Sequence, residues 1–222
     1  MKICFVAWSD FGIGGVPRVL TCLMDALSRK HDVSLYSLKN LPQSGIQGIN
    51  REQIHIYCRE MNLYEKIRRS AADVLVCKTP LFSSALGCRL YAAARYTSGF
   101  KKALTNHLNE HQYDVVIFGS GFEDSLLLAL TKNKLLPSMR ILTWSHASYD
   151  NYFTNMGSFF SRYMKEAIKA YYHRFDEIIV LSDGDEKEFR EKHHLPARRI
   201  YNPNTINPAR KSSLTSKTFV YV

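Results

Sequence analysis

The 222-residue chain has little of what staples small or secreted proteins together. Its five cysteines (Cys4, Cys22, Cys58, Cys77 and Cys88) are odd in number, fall in the first 88 residues and show no C-x-x-C spacing. That argues against a disulfide framework or a zinc knuckle and suits a reducing cytosol. Long hydrophobic runs are missing as well. No stretch approaches the roughly 18 apolar residues of a membrane span. Ile3–Trp8 is too short for the apolar region of a signal peptide, and no small-residue cleavage site follows it. There is no Walker A loop and no G-x-S-x-G elbow, so neither ATP use on the usual terms nor serine hydrolase chemistry finds support. Acidic residues are the scarcer sign: 20 Asp+Glu against 30 Lys+Arg leave a net charge of +10 and a pI near 9.4. Such a balance predicts attraction to an anionic partner, whether phosphate, nucleic acid or a lipid surface.

Apolar residues make up 45% of the chain. At roughly 150 residues per domain the length corresponds to one domain and a remainder. A chain of this size buries roughly 70% of its unfolded surface and needs no metal or disulfide to hold together. The charge is uneven: residues 1–32 carry +1, residues 33–109 carry +7 and residues 110–222 carry +2. In the middle segment Arg59, Lys66, Arg68, Arg69, Arg89 and Arg95 are interleaved with Tyr57, Tyr64, Tyr91 and Tyr96. Basic residues mixed with aromatics suit anionic lipid headgroups or a phosphate-tracking groove, and equally a plain solvated face.

The apolar pattern alternates. Lys2–Trp8, Val33–Leu38, Tyr113–Phe118, Met139–Trp144 and Glu177–Leu181 are short apolar runs of strand length, with Gln53–Tyr57 a weaker one. Between them lie helical periods: Val16 to Leu27, Phe82 to about Leu108 with a break near Ser98-Gly99, and about 123–132, 158–173 and 184–193. Pro17 fits a first helical turn. Residues 60–77 stay ambiguous, because Val74–Cys77 reads as strand or as buried helix. Alternating strands and helices with near-continuous apolar strands predict an α/β fold, a Rossmann-like doubly wound parallel sheet with helices on both faces. From Pro196 onward the long apolar period is lost; residues 196–217 read as a linker, and Thr218–Val222 as the first strand of a second, truncated domain.

Three motifs stand where such sheets bind ligands, beyond the carboxyl ends of the strands. Ser9–Arg18 (SDFGIGGVPR) follows the first strand and opens the first helix, so Gly14 and Gly15 can let backbone N–H groups approach a phosphate. The dinucleotide fingerprint fails there, with Pro17 at its last glycine and no acid after the second strand, which disfavours a nicotinamide enzyme. Ser145–Asp150 (SHASYD) follows the Met139–Trp144 run, where His146 can bond a sugar hydroxyl or accept a proton. Asp183-Gly184-Asp185 has the D-x-D spacing of some metal-dependent sugar transferases, but after Ser182 it reads as a helix cap. His107 and His111, four apart on a helix, lack a third metal ligand and read as surface residues.

The order of these pieces, MKICFVAWSD, FGIGGVPRVL, YDVVIFGS, RILTWSHASYDN, YYHRFDEIIVLSDGDEKEF and RRIYNPNTINP, resembles the N-terminal domain of family-4 retaining glycosyltransferases of the GT-B fold, over residues 1–217. The resemblance implies two Rossmann-like domains facing each other across a cleft, this one (residues 1–195) binding mainly the acceptor. It implies that Gly14 and Gly15 meet the donor diphosphate, that His146 works at the reacting centre, and that Asp10 and Arg18 contact acceptor. It further implies a nucleotide-sugar co-substrate with no other cofactor and no metal, a glycan or lipid-linked acceptor, and transfer with retention of configuration in cell-surface polysaccharide or glycolipid synthesis. Other expectations are a cytoplasmic location, peripheral on the inner membrane face through residues 33–109, and no nucleic-acid partner. Without the donor-binding domain this chain is expected not to turn over. The alternative from another class is a non-catalytic Rossmann-like module that binds a phosphorylated ligand or nucleic acid.

Overall fold

The structure, a computed structural model, describes residues 1–8, 14–38, 41, 52–78, 84–119, 122–154 and 159–204. Strands β1 (Lys2–Ala7), β2 (Asp32–Ser37), β3 (Ile54–Cys58), β4 (Val115–Phe118), β5 (Arg140–Trp144), β6 (Glu177–Val180) and β7 (Ala197–Arg199) form one sheet in the order β3-β2-β1-β4-β5-β6-β7. Every pairing is parallel. The strands read as continuous apolar runs because both faces are covered. Cys4, Val6, Tyr36, Val116, Phe118 and Ile178 point into one core, completed by helices α4 (Ser98–His111), α5 (Phe122–Thr131), α7 (Phe159–Tyr171) and α8 (Asp183–His193). Ile3, Phe5, Val33, Leu35, Ile117 and Leu142 point into the other, where α1 (Gly15–Ser28) supplies Leu20 and Met24. The order of the sheet reverses between β1 and β4, and the crevice of such a sheet opens beyond the carboxyl ends of those two strands.

Several elements differ from the sequence pattern. Residues 60–77 resolve into helix α2 (Leu63–Lys78), Val74–Cys77 included. Its start is a capping box: Asn62 Oδ1 accepts from the Glu65 N–H at 2.8 Å and Glu65 Oε2 accepts from the Asn62 N–H at 3.0 Å. The long period after Phe82 divides at Tyr96-Thr97, ahead of Ser98-Gly99, into α3 (Ala85–Arg95) and α4; Thr97 caps α4 by accepting from the Phe100 N–H. A short helix, α6 (Tyr149–Phe153), follows β5. Ala197–Arg199, which the proline pattern assigns to a linker, pairs with β6 as β7.

His107 and His111 are not surface residues. Both are half-buried, and the His107 ring lies 4.5 Å from Tyr36, 4.6 Å from Tyr57 and 4.2 Å from His111. Burial first, and the neighbouring His111 second, push the His107 pKa down to about 4. The folded protein therefore binds fewer protons than the unfolded chain between that value and the ordinary histidine pKa of about 6.5. Stability from this ring is complete above that ordinary pKa and is lost as pH falls through the window, levelling off below it. The expected loss is on the order of 2 kcal/mol, discounted for the solvent that still reaches the ring. Urea titrations across the window check it: His107→Phe should flatten the slope, and an unchanged slope contradicts the assignment.

Candidate active site at the carboxyl edge of the sheet

Three segments meet beyond the ends of β1, β4 and β5, and a fourth borders a cavity at the ends of β1 and β2. The first is the start of α1. Gly14 stands as its N-cap in extended backbone, no side chain among the described residues caps the helix, and no acid occupies its first turn. The helix N-terminus therefore keeps N–H donors and a partial positive charge that no residue of its own neutralises. A Cβ on Gly14 would press on the Pro17 ring at 3.3 Å, whereas a Cβ on Gly15 would meet nothing within 4 Å. Among the described residues the space beside Gly15 is open. Arg18 is exposed on the same turn, its N–H reaching the Gly14 carbonyl at 3.3 Å. Asp10 lies outside the described residues.

The second and third segments are joined by Gly119, a residue that the sequence marks only as part of a turn. Its N–H bonds the Val6 carbonyl at 3.2 Å, tying the end of β4 to β1. A Cβ there would stand 2.3 Å from Cδ2 of fully buried Leu20, so only glycine lets α1 lie this close to β4. The Gly119 carbonyl accepts from His146 Nε2 at 3.1 Å. His146 leaves the end of β5 and stacks near-parallel on Trp144, with centroids 6.2 Å apart. Burial lowers its pKa below the ordinary histidine value, against a smaller upward pull from the Gly119 carbonyl. At neutral pH the ring is uncharged with its proton on Nε2, which leaves the lone pair on Nδ1 to accept a hydrogen bond or a proton.

The fourth segment is the first turns of α2. A cavity of about 250 Å³ is lined by Trp8, Leu38, Glu60, Met61, Lys66, Arg69 and Ser70, at the ends of β1 and β2. The Arg69 guanidinium lies 3.8 Å from the centroid of the Trp8 ring. Lys66 pairs with Glu60 and Arg69 lies 3.8 Å from Asp73, so this wall of aromatic, thioether and paired ionic groups suits a polar ligand with an apolar face. A wider groove of about 680 Å³ lies at the opposite edge, among Met1, Lys2, Ser28 and Gln112, away from every strand's carboxyl end.

Asp183-Gly184-Asp185 is engaged in structure, as its capping pattern foretells. The Ser182 hydroxyl accepts from the Asp185 N–H at 3.0 Å and donates to Asp185 Oδ2 at 2.7 Å. Asp185 Oδ1 accepts from the Tyr149 N–H at 2.7 Å, and Asp183 pairs with Arg199. Among the described residues no group of three His, Cys, Asp or Glu side chains is placed to hold a metal ion.

The sheet and this edge define a Rossmann-like α/β domain with its crevice where phosphorylated ligands bind in such folds. The family profile of glycosyltransferase family 4 matches residues 13–210, and the chain belongs to that family. Among solved structures, dTDP-glucose 4,6-dehydratase (rfbB) from Bacillus anthracis str. Ames in complex with NAD aligns at 9% identity and a TM-score of 0.43, over 90% of this chain and 53% of that one. Glycosyltransferase VinC in complex with dTDP aligns at 14% identity and a TM-score of 0.36, over 73% of this chain and 38% of that one. The chain thus spans about half or less of these proteins' length. No curated protein sequence matches it.

Proposed function

We propose that this chain is the acceptor-binding half of a retaining glycosyltransferase that moves a sugar from a nucleoside-diphosphate donor to a glycan or lipid-linked acceptor, in cell-surface polysaccharide or glycolipid synthesis at the cytoplasmic membrane face. Membership of family 4 implies the nucleotide-sugar donor. The observation that carries the reading is the meeting, at one edge of the sheet, of a glycine-led helix start and a half-buried neutral His146. In this reading the N–H groups at Gly14 and Gly15 receive the donor diphosphate, where negative charge builds as the glycosidic C–O bond breaks. The acceptor oxygen attacks the anomeric carbon from the side that the diphosphate leaves. Its proton passes to a departing phosphate oxygen, giving the new glycoside and a nucleoside diphosphate. His146 Nδ1 accepts a hydroxyl hydrogen bond and orients the sugar. The acceptor occupies the Trp8–Arg69 cavity; Arg18 and Asp10 are further acceptor contacts in this reading.

The test is Gly15→Leu in the complete protein. Because no described residue stands within 4 Å of a Cβ at Gly15, the melting temperature should be unchanged. The donor KM should rise about tenfold, as the side chain fills the space that the diphosphate needs and removes ground-state and transition-state binding alike. An unchanged donor KM would remove the diphosphate from this helix.

A further inference from the structure

Helix α2 is amphipathic in the wrong sense for a core, and α3, which buries Cys88, Tyr91 and Ala92, carries further apolar side chains outward. On the inner side of α2, Glu65 and Asp73 are engaged by Arg59 and Arg95, and Tyr91 donates to Asp73 at 2.5 Å. The outer side is apolar. Tyr64, Ile67, Val74 and Leu75 follow one another at helical spacing along α2, and Leu86 and Leu90 do so on α3, with exposures from 51% to 68%. Seven of the eleven large apolar side chains exposed among the described residues lie on these two helices, which hold only 16 and 11 residues. The two stripes are held side by side, for Arg68, which sits beside Tyr64, donates to the Ala93 carbonyl at 3.1 Å. A contiguous exposed apolar patch marks a surface that meets something.

The charge around it says what. Residues 63–102 contain eight Lys/Arg and two acids, Glu65 and Asp73. Both acids are used inside, so the outer face is cationic. Arg68, Arg89 and Lys101 have no carboxylate partner among the described residues. The Lys101 ammonium is held below its ordinary pKa by burial and then by Lys134 and Arg68, a neighbourhood in want of anions. A second copy of the chain would set these cations against their own counterparts. Among the described residues no helix is long and apolar enough to cross a membrane, so contact would be in the interfacial plane.

We propose that the outer face of α2 and α3 docks on an anionic lipid bilayer, its apolar stripe entering the boundary between headgroups and acyl chains while Arg68, Arg89 and Lys101 meet lipid phosphates. The docking rests on the observations above. Only its use, bringing the cavity walled by Lys66, Arg69 and Ser70 of α2 to a lipid-linked acceptor, rests on the proposed glycosyl transfer, and vesicle binding is measured without turnover, so the two fail separately.

The test is co-sedimentation of the protein with phosphatidylcholine vesicles, with and without phosphatidylglycerol, at low and high salt. Binding should be about tenfold tighter with phosphatidylglycerol and should weaken with salt. The triple variant Ile67→Ser, Leu86→Ser, Leu90→Ser removes only exposed side chains; it should melt like the parent and lose binding about tenfold. Leu90→Ser alone, expected to lose about threefold, keeps the test open should the triple variant not fold. No binding to anionic vesicles, equal binding by the variants, or tighter binding to an oligonucleotide than to vesicles would overturn the proposal. So would a dimer in sedimentation that the triple variant dissolves.

Discussion

Glu65→Ala should cost the fold about 3–5 kcal/mol, the usual effect of removing one partner from a buried ion pair. The carboxylate is 4% exposed and serves four donors. Arg59 bonds both its oxygens, at 2.9 and 3.2 Å, and the Asn62 N–H and the Thr97 hydroxyl bond it at 3.0 Å each. Truncation would leave the Arg59 guanidinium, 4.3 Å from the Phe100 ring centroid, without its counter-charge, and would undo the cap of α2 and the link between α2 and α4 together. Burial alone would raise the Glu65 pKa, but the bonds from Arg59, Asn62 and Thr97 outweigh it and hold it below the ordinary glutamate value. This contribution is therefore present above that ordinary value and is lost as pH falls through the folded one. Glu65→Gln keeps the shape and part of the bonding and should cost about 1–3 kcal/mol. Urea unfolding measures both, and a loss below about 1 kcal/mol for the alanine variant would show that these bonds are matched by water in the unfolded chain.

How much of this was legible in the sequence follows from what each signal can carry. The parallel strands announce themselves because burial on both faces makes them continuous apolar runs, and the doubly wound order follows from their alternation with helices. Three-residue β7 has no such run. It is held by the backbone bonds that flank it, Ile178 N–H to Pro196 and Ile200 N–H to Val180, and by Arg198 pairing with Glu177 at 3.1 Å, none of which composition encodes. Helical period gives α2 its type but not its facing, since a stripe at this spacing looks the same whether it turns inward or outward. Its inward polar side depends on Arg59, Arg95 and Thr97, residues outside the helix. His107 reads as a surface histidine because its neighbours Tyr36 and Tyr57 come from strands far away in the chain. Within the site, His146 and Gly14-Gly15 are marked by their place after a strand. Gly119 is not, for its need to be glycine arises from Leu20 and its use from His146, one on each side of it in sequence.

The measurement closest to the central claim is turnover by His146→Ala in the complete protein. The ring is fixed by one hydrogen bond to Gly119 and by stacking on Trp144. Its loss leaves the Gly119 N–H to Val6 bond and the Gly119–Leu20 packing in place, so the variant should fold, with a melting temperature near the parent's. If Nδ1 orients a sugar hydroxyl at the reacting centre, kcat should fall about 100-fold, the scale of losing one polar contact to the transition state. His146→Gln, which can still donate and accept, should recover part of it. A folded His146→Ala variant that transfers sugar at the parent's rate would contradict the account and move the reacting centre away from this edge of the sheet.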